Sequence, residues 1–299
     1  MKKLLSIILL MLSTLTMAND ANQYKILIGF GPGGTDTFIR SVTADIEKNT
    51  DLKFLVFNKP GANGIIALQD YWEKNDPQTL LGVAAGQILI DPIFNPQNYY
   101  LDKLKMIGPV FYGPMVLAVA PNSKSKVKTL DDLFDKRIPP QRINIAVTGQ
   151  VFSLVVNEIA RHSHHDIQPI LFKGGGEALP ALLGGHVDMQ IDSLGWFKPK
   201  LPSVVFIANT SSKSIDGVPS FQKYMPNFTM YAFYGIAVAK NYDTKKLEQT
   251  INKGFAAANN QSTYIGNGFL IDLNPNSDYI ERELIPKYNQ LSKQYGKQK

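Results

Sequence analysis

The glycine-rich stretch from Gly29 to Gly34 restricts the folding of this chain more than any other feature. The apolar run 24–28 before it predicts a buried strand, and the apolar spacing within 38–46 predicts one face of a helix. Backbone N–H groups at the start of a helix have no partner within the helix, and the helix dipole adds positive potential there. The stretch therefore predicts a binding site for a carboxylate or a phosphate.

The same glycines, Gly29, Gly31 and Gly34, match the G-x-G-x-x-G pattern of dinucleotide-binding proteins. Such proteins carry an acidic residue at the end of the second strand, whereas the strand predicted at 54–57 continues into Asn58. The pattern alone is a weak signal. We therefore predict neither a nicotinamide nor any other cofactor.

Residues 1–18 have the pattern of a signal peptide, with Lys2 and Lys3 before the apolar run 4–12 and the small residue Ala18 at the cleavage site. The apolar run is shorter than a typical membrane span, and an uncleaved N-terminal anchor is the alternative. The sequence contains no cysteine, which leaves no residue for a lipid anchor or a disulfide. We predict a soluble protein exported to the periplasm.

The formal net charge is +6 in 299 residues, and the basic residues are scattered along the chain. Because no basic patch stands out, binding to nucleic acid is not expected. With 44% hydrophobic residues, the chain is able to bury one large core or two moderate ones.

Strands and helices are predicted to alternate in two successive units, which is typical of parallel α/β sheets covered by helices. Two extended crossings, near 117–121 and 230–236, join these units and act as hinge strands. We therefore predict a bilobed α/β fold, in which residues 19–118 with 232–299 form domain 1 and residues 119–231 form domain 2. In open parallel sheets the ligand crevice lies beyond the C-terminal ends of the strands.

Candidate ligand-binding residues lie at these strand ends or in the loops that follow them. They are Phe30, Gly33, Gly34, Thr35, Asp36, Gln87, Thr148, Gly149, Gln150, Ser153 and Asp192. The polar side chains have a structural alternative, because such residues cap helices without any ligand. Asp192 either accepts a hydrogen bond from a ligand or bonds local backbone amides. Phe30 is also compatible with a place in the core.

The cluster from His162 to Asp166 contains three histidines at spacings that could bind zinc. It falls at a predicted helix C-terminus, where histidine favours the dipole and the solvent, so no metal is expected. The sequence has no G-x-S-x-G nucleophile elbow, and no acid/base pair lies near the predicted cleft. We predict no catalysis, with an exported hydrolase or transferase that uses Asp36 or Asp192 as the alternative.

Five stretches carry a resemblance to a known family. They are Phe30 to Asp36, Asn58 to Gly64, Ile143 to Gly149, Phe172 to Gly175 with Ala178-Leu179, and Leu182 to Asp188. In their order and spacing the chain resembles the periplasmic solute receptors of tripartite tricarboxylate transporters, the Bug family. The resemblance implies a monomeric Venus-flytrap receptor that captures a small carboxylate by hinge closure and passes it to membrane permease subunits. A receptor-like sensor that docks on another membrane partner is a second alternative.

The resemblance also implies that the loops matching Gly33–Asp36 and Thr148–Ser153 hold the carboxylate, often through bridging waters. Neither loop contains Lys or Arg, which fits an anion held by two opposed helix N-termini. The first loop is one residue shorter than is usual in the family, and the second carries the bulky residues Val151 and Phe152. These departures favour an acid that is smaller or more apolar than the usual dicarboxylates.

Overall fold

The computed structural model describes residues 22–272 and 280–295. The predicted signal peptide at 1–18 lies outside these ranges, and so do the first residues of the helix predicted at 278–294. Among the helices of the described ranges, none is both long enough and apolar enough to span a membrane.

Strands and helices alternate along most of the described chain, as the sequence predicts. The strands are β1 (Gln23–Ile28), β2 (Lys53–Asn58), β3 (Thr79–Ala84), β4 (Leu104–Met106), β5 (Val110–Val119), β6 (Arg142–Val147), β7 (Asp166–Leu171), β8 (Met189–Ser193), β9 (Val205–Asn209), β10 (Tyr231–Ala239) and β11 (Leu270–Asp272). The α-helices are α1 (Gly34–Glu47), α2 (Ile65–Lys74), α3 (Asp91–Phe94), α4 (Leu130–Phe134), α5 (Gln150–His162), α6 (Gly175–Leu183), α7 (Leu194–Phe197), α8 (Lys245–Ala257), α9 (Gln261–Gly266) and α10 (Ile285–Tyr295). Short π-helices at Gly86–Ile90 and Ile280–Leu284 precede α3 and α10.

The main path through the sheet runs β2-β1-β3-β10-β5-β8-β6-β7. Strand β1 is parallel to β2 and β3, and strand β6 is parallel to β7 and β8. The antiparallel strands β10 and β5 lie between these parallel groups. Strand β5 changes partners along its length, because Val110–Pro114 pair with β10 or β11 whereas Met115–Val119 pair with β8 and β9. Two α/β halves therefore share one strand.

Strand β5 also corrects a detail of the sequence prediction, which placed separate strands at 106–110 and 115–119. Strand β4 ends at Met106, and β5 then runs without interruption from Val110 to Val119. A proline inside a strand removes one ladder donor. Pro114 is accommodated inside β5 because the strand changes partners at this residue.

Helix α1 lies over the first half of the sheet and is held there by a buried apolar face. Phe38, Ile39, Val42 and Ile46 are all buried, at the spacing that predicts a helix face. The ring of Phe38 packs against Phe111 of β5, with ring centroids 4.2 Å apart. This packing places the first turn of α1 beyond the C-terminal end of β1.

A buried hydroxyl joins α2 to the end of β10. The N–H of Ala239 donates to the Tyr71 hydroxyl at 2.6 Å, and Tyr71 is 2% exposed. The substitution Tyr71→Phe leaves this buried N–H without a partner, so we expect the free energy of unfolding to fall by about 1–3 kcal/mol. Urea titration measures the change. Tyr242→Phe is the matched control, because its hydroxyl bonds Asn75 at the surface, and equal losses in both variants would contradict the role given to Tyr71.

Candidate functional site

A small cavity lies where the first turns of α1, α5 and α6 meet, between the two halves of the sheet. Its volume is about 30 Å³, enough for about two water molecules. The ends of β3 and β8 and part of β10 complete the wall. The predicted candidates that line the cavity are Phe30, Gly33, Gly34, Thr35, Thr148, Gly149 and Asp192.

The first turn of α1 supplies one wall of the cavity. Gly33 precedes the helix in an extended conformation, and Gly34 and Thr35 open the helix. Thr35 is buried. Because the two glycines carry no side chains, the backbone of this turn itself forms the wall, and the helix dipole places partial positive charge there.

The first turn of α5 supplies a second wall. The carbonyl of Gly149 accepts a hydrogen bond from the N–H of Ser153 at 3.1 Å. The N–H groups of Gln150 and Val151 precede this bond and have no intrahelical acceptor. A Cβ atom on Gly86 would lie 3.5 Å from the nitrogen of Val151, so the backbone of Gly86 packs directly against this turn.

The first turn of α6 touches the loop that follows β1. The N–H of Gly31 donates to the carbonyl of Lys173 at 2.9 Å, and the N–H of Gly176 donates to the carbonyl of Pro32 at 2.8 Å. A Cβ atom on Gly174 would lie 2.6 Å from the oxygen of Pro32. The two halves of the molecule are therefore closed against each other beside the cavity, through a backbone contact too tight for a side chain at Gly174.

Asp192 brings a carboxyl group into the cavity at the C-terminal end of β8. It is 1% exposed, and its Oδ1 accepts a hydrogen bond from the N–H of Ser193 at 2.8 Å. Its Oδ2 has no hydrogen-bond partner among the described residues. Burial raises the pKa of Asp192 to about 7, against the opposing effects of the Ser193 N–H, the charge of Lys200 and the Gln190 side chain. This carboxyl group therefore exchanges its proton near neutral pH.

The hydroxyl of Tyr234 lies beside Asp192, next to Gly34. A Cβ atom on Gly34 would lie 2.8 Å from the Tyr234 hydroxyl oxygen and 3.5 Å from Oδ1 of Asp192. Burial and the charge of Asp192 raise the pKa of Tyr234, so this hydroxyl stays protonated. The sequence prediction missed Tyr234, because it belongs to the apolar run 231–239 that indicates a core strand. The hydroxyl group of Tyr234, in an otherwise apolar run, is the one sequence signal that could have indicated this residue.

Trp196 and Lys200 follow β8 and were also missed by the sequence prediction. The Lys200 ammonium lies 3.2 Å from the centroid of the Trp196 ring and donates to the Trp196 carbonyl at 2.6 Å. Burial lowers the pKa of Lys200 to about 8, and the charge of Asp192 opposes this change. The Trp196 indole nitrogen is buried against Gly175 and has no hydrogen-bond partner among the described residues.

Asp36 and Gln87 lie outside the cavity lining. The Asp36 carboxylate bonds Nε of Arg40 at 2.9 Å, and Arg40 in turn donates to Oδ1 of Asn58 at 3.0 Å. The i,i+4 spacing of Asp36 and Arg40 on a helix is the sequence signal for this pairing. Gln87 is fully buried and donates through Nε2 to the carbonyl of Gly64 at 2.8 Å.

Gln150 and Ser153 also lie outside the cavity lining, although both belong to the start of α5. The Ser153 hydroxyl donates to the carbonyl of Gly149 at 3.3 Å, which is a bond within the helix. Oε1 of Gln150 is buried and has no hydrogen-bond partner among the described residues. Val151 and Phe152, the bulky residues of this loop, do line the cavity.

The histidine cluster lies away from the cavity. His162 ends α5, and a ring nitrogen lies 3.0 Å from the carbonyl of Glu158. His164 lies 2.8 Å from the carbonyl of Ile138 in the same way. Because His164 and His165 lie beyond the end of the helix, the helical metal-site spacing that the sequence suggests does not form.

Comparison with known sequences gives a family match. The sequence model described as tripartite tricarboxylate transporter family receptor matches residues 38–278. A UPF0065 protein from Bordetella bronchiseptica is 26% identical over 213 residues, which are 68% of this chain and 63% of that protein's length.

Comparison with solved structures gives the fold. The periplasmic binding protein BugD superposes with a TM-score of 0.76 and 19% identity, over 92% of this chain and 97% of that one. MatC from Rhodopseudomonas palustris, solved with bound malate, gives a TM-score of 0.75 and 20% identity, over 92% and 99% of the two chains. These likenesses confirm the predicted bilobed α/β fold of periplasmic binding proteins.

The family match spans most of the chain and includes four of the five stretches that carry the resemblance in the sequence, all but Phe30 to Asp36. The chain therefore belongs to the receptor family of the tripartite tricarboxylate transporters, whose members are periplasmic solute-binding proteins and not enzymes.

Proposed function

We propose that this protein captures a small organic acid in the cavity between its two halves and delivers it to a tripartite tricarboxylate-type membrane permease. One observation carries the proposal: the first turns of α1, α5 and α6 all line a single cavity. Converging helix N-termini stabilise negative charge through their dipoles and their free N–H groups. No Lys or Arg contributes to the cavity lining in the described part of the chain, so the anion is held by backbone N–H groups and hydroxyls.

The ligand contacts that we propose come from both halves of the molecule. Gly34 and Thr35 contribute the first turn of α1, and Thr148, Gly149 and Val151 contribute the start of α5. Their N–H groups lack intrahelical acceptors, and the hydroxyls of the two threonines add donors beside them. Charge-assisted hydrogen bonds to a carboxylate are about twice as strong as neutral ones, so a few of them suffice.

The predicted residues outside the cavity receive supporting roles in this proposal. Asp36 and Arg40 tie the first turn of α1 to Asn58, and Gln87 ties the π-helix after β3 to Gly64. Gln150 is the first residue of α5, and the Ser153 hydroxyl bonds the Gly149 carbonyl within its first turn. These contacts hold the backbone of the two binding loops in place.

The cavity in the closed form favours a small ligand. Val151 and Phe152 occupy part of the space, and about 30 Å³ remains beside them. The malate held by MatC supports an acid as the ligand class. We propose a small organic acid that enters by a hinge opening of the cleft. The lobes then close on it less far than in the form described here, where the cavity has room for about two water molecules.

The hinge that we propose lies where the chain passes between the halves. Residues 19–118 with 232–299 would move as one lobe and residues 119–231 as the other. Strand β5 supports this division, because it changes partners between Pro114 and Met115, a few residues before the predicted boundary. Closure of the lobes would create the surface that the permease recognises, while the receptor itself acts as a monomer.

The location of the protein belongs to the same proposal. Its family consists of periplasmic receptors, and residues 1–18 have the pattern of a signal peptide. We propose that this segment directs export and is then removed.

A thermal-shift panel tests the proposed function. The purified protein is heated with acetate, propionate, lactate, malonate, succinate and malate, and with acetamide and glycerol as neutral controls. A ligand that binds only the folded state raises the melting temperature with ligand concentration. We expect a saturable rise with at least one acid and none with the neutral solutes.

The variant Gly34→Val locates the binding site. A Cβ atom at Gly34 already comes within 2.8 Å of the Tyr234 hydroxyl, so the larger side chain fills the cavity. We expect the affinity for the acid to fall about tenfold or more. Gly266→Val is the control, because a Cβ atom on this exposed residue meets no atom within 4 Å. An acid that binds Gly34→Val as tightly as the wild type would place the site elsewhere.

A further inference from the structure

The carboxyl group of Asp192 has a place in the cavity that anion binding alone does not explain. It is 1% exposed, and the N–H of Ser193 occupies only its Oδ1. Oδ2 is buried and has no hydrogen-bond partner among the described residues, and Asp192 lines the cavity. A buried polar atom of this kind destabilises the protein unless a donor reaches it.

The protein groups around Asp192 do not supply that donor in the closed form. The Lys200 ammonium is the cation whose charge acts on Asp192, but it is bound by the ring and the carbonyl of Trp196. The Tyr234 hydroxyl faces it from β10, and Ser193 follows it on the chain. Gln190 lies two residues before it on β8, and hydrogen bonding by its side chain acts to lower the pKa of Asp192. Its amide nitrogen is nevertheless not within hydrogen-bond geometry of any acceptor among the described residues. No acidic side chain acts on the Asp192 carboxyl in the described part of the chain.

Asp192 also lies very close to the expected position of the bound acid. A Cβ atom on Gly34, the first residue of α1, would lie 3.5 Å from Oδ1 of Asp192. A ligand carboxylate on the first turn of α1 therefore comes within a few ångströms of a second carboxyl group. Two carboxylates at this distance repel each other unless one is protonated or a donor lies between them.

We propose that Asp192 selects acids that carry a hydrogen-bond donor, an ammonium or a hydroxyl group, on the carbon next to the bound carboxylate. This inference rests on the proposed function, because it places the ligand carboxylate at the start of α1. The α-substituent then lies on the side of Oδ2 and donates to it. The ligand class is therefore small α-amino or α-hydroxy acids.

Two series of ligands that share a carbon skeleton test this specificity. The first is propionate, L-lactate and L-alanine, and the second is succinate, L-malate and L-aspartate. Within each series only the α-substituent changes, from hydrogen to hydroxyl to ammonium. Isothermal titration calorimetry at pH 8 measures the six dissociation constants, and the wild-type protein alone is sufficient for this comparison.

We expect the hydroxy or the amino acid to bind about 10- to 100-fold more tightly than the unsubstituted acid of the same series. Tighter binding of the amino acid identifies an ammonium as the donor, and tighter binding of the hydroxy acid identifies a hydroxyl. In Asp192→Asn the advantage of the substituted acid shrinks to a few-fold, while the unsubstituted acid binds at least as well as before. A uniform loss of affinity for all six ligands would instead indicate a merely structural role and overturn the inference.

The remaining outcomes separate this inference from the proposed function. Equal affinities within each series would overturn the selection by Asp192 and leave an acid receptor. Failure of the six ligands and of the whole thermal-shift panel to bind would overturn the proposed function, and the selection with it.

Discussion

Replacing Asp192 by Asn will remove a large part of the pH dependence of stability between pH 4 and 8. Burial raises the pKa of Asp192 from 3.8 to about 7 in the folded protein. Between these two values the folded state keeps a proton that the unfolded state releases. The free energy of unfolding therefore falls as the pH rises from about 4 to about 7. Above pH 7 the carboxylate is ionised in both states, and the loss of stability is complete. The difference between the two pKa values corresponds to a loss of at most about 4 kcal/mol in the free energy of unfolding.

Urea unfolding of the ligand-free protein at pH 4, 5.5, 7 and 8.5 measures this effect. We expect the wild type and Asp192→Asn to have similar free energies of unfolding at pH 4. At pH 8.5 the variant becomes more stable by up to about 4 kcal/mol, because it no longer buries a negative charge. Asp216→Asn is the control, since this exposed residue forms an ion pair with Lys198 at the surface. Stability curves that stay parallel for wild type and Asp192→Asn would contradict the burial of an ionisable group here.

The substitution Gly174→Ala will weaken ligand binding without unfolding the protein. The backbone of Gly174 is extended, a conformation that alanine adopts freely, so the residue itself is not strained. A Cβ atom there would lie 2.6 Å from the oxygen of Pro32, which belongs to the opposite half of the molecule. The backbone oxygen has little freedom to move away. The clash therefore arises only when the halves close.

Closing against this clash costs about 1–3 kcal/mol, which lowers the ligand affinity about 5- to 150-fold. The affinity falls because the ligand must also supply the free energy of the disfavoured closed form. Calorimetric titration with the acid that binds the wild type measures the loss, and urea unfolding tests whether the stability changes. Gly266→Ala is the matched control, since its Cβ atom meets no atom within 4 Å. Wild-type affinity in Gly174→Ala would show that binding does not require this closed contact.

The sequence was sufficient to predict those parts of the fold that depend on local patterns. The apolar spacing from Phe38 to Ile46 predicted the buried face of α1, and alternation of strands and helices predicted the α/β class. The glycines before α1 and Gly149 before α5 pointed to two loops that line the cavity, because glycine lets the backbone at a helix start approach a neighbour closely. These features can be predicted because each pattern is contained in a segment of about ten residues.

The remaining features depend on contacts between distant segments. The bond between Gly31 and Lys173 joins residues in different halves, and nothing local to either residue indicates it. Tyr234 reaches the cavity from a strand that is apolar on both faces, so alternation does not show where its hydroxyl points. The i,i+4 spacing of Asp36 and Arg40 indicates an ion pair between them. The sequence also offers Asp36 as a ligand contact, and only the packing around the carboxylate decides between these two roles.

A crystal structure with the acid that gives the largest thermal shift tests the central claim most directly. We predict that one carboxylate of the ligand lies within hydrogen-bond distance of the N–H groups at the starts of α1 and α5, directly or through one water. We also predict that no Lys or Arg side chain touches it. An acid bound outside the cavity, or held there by a basic side chain, would contradict the claim that converging helix N-termini form the binding site.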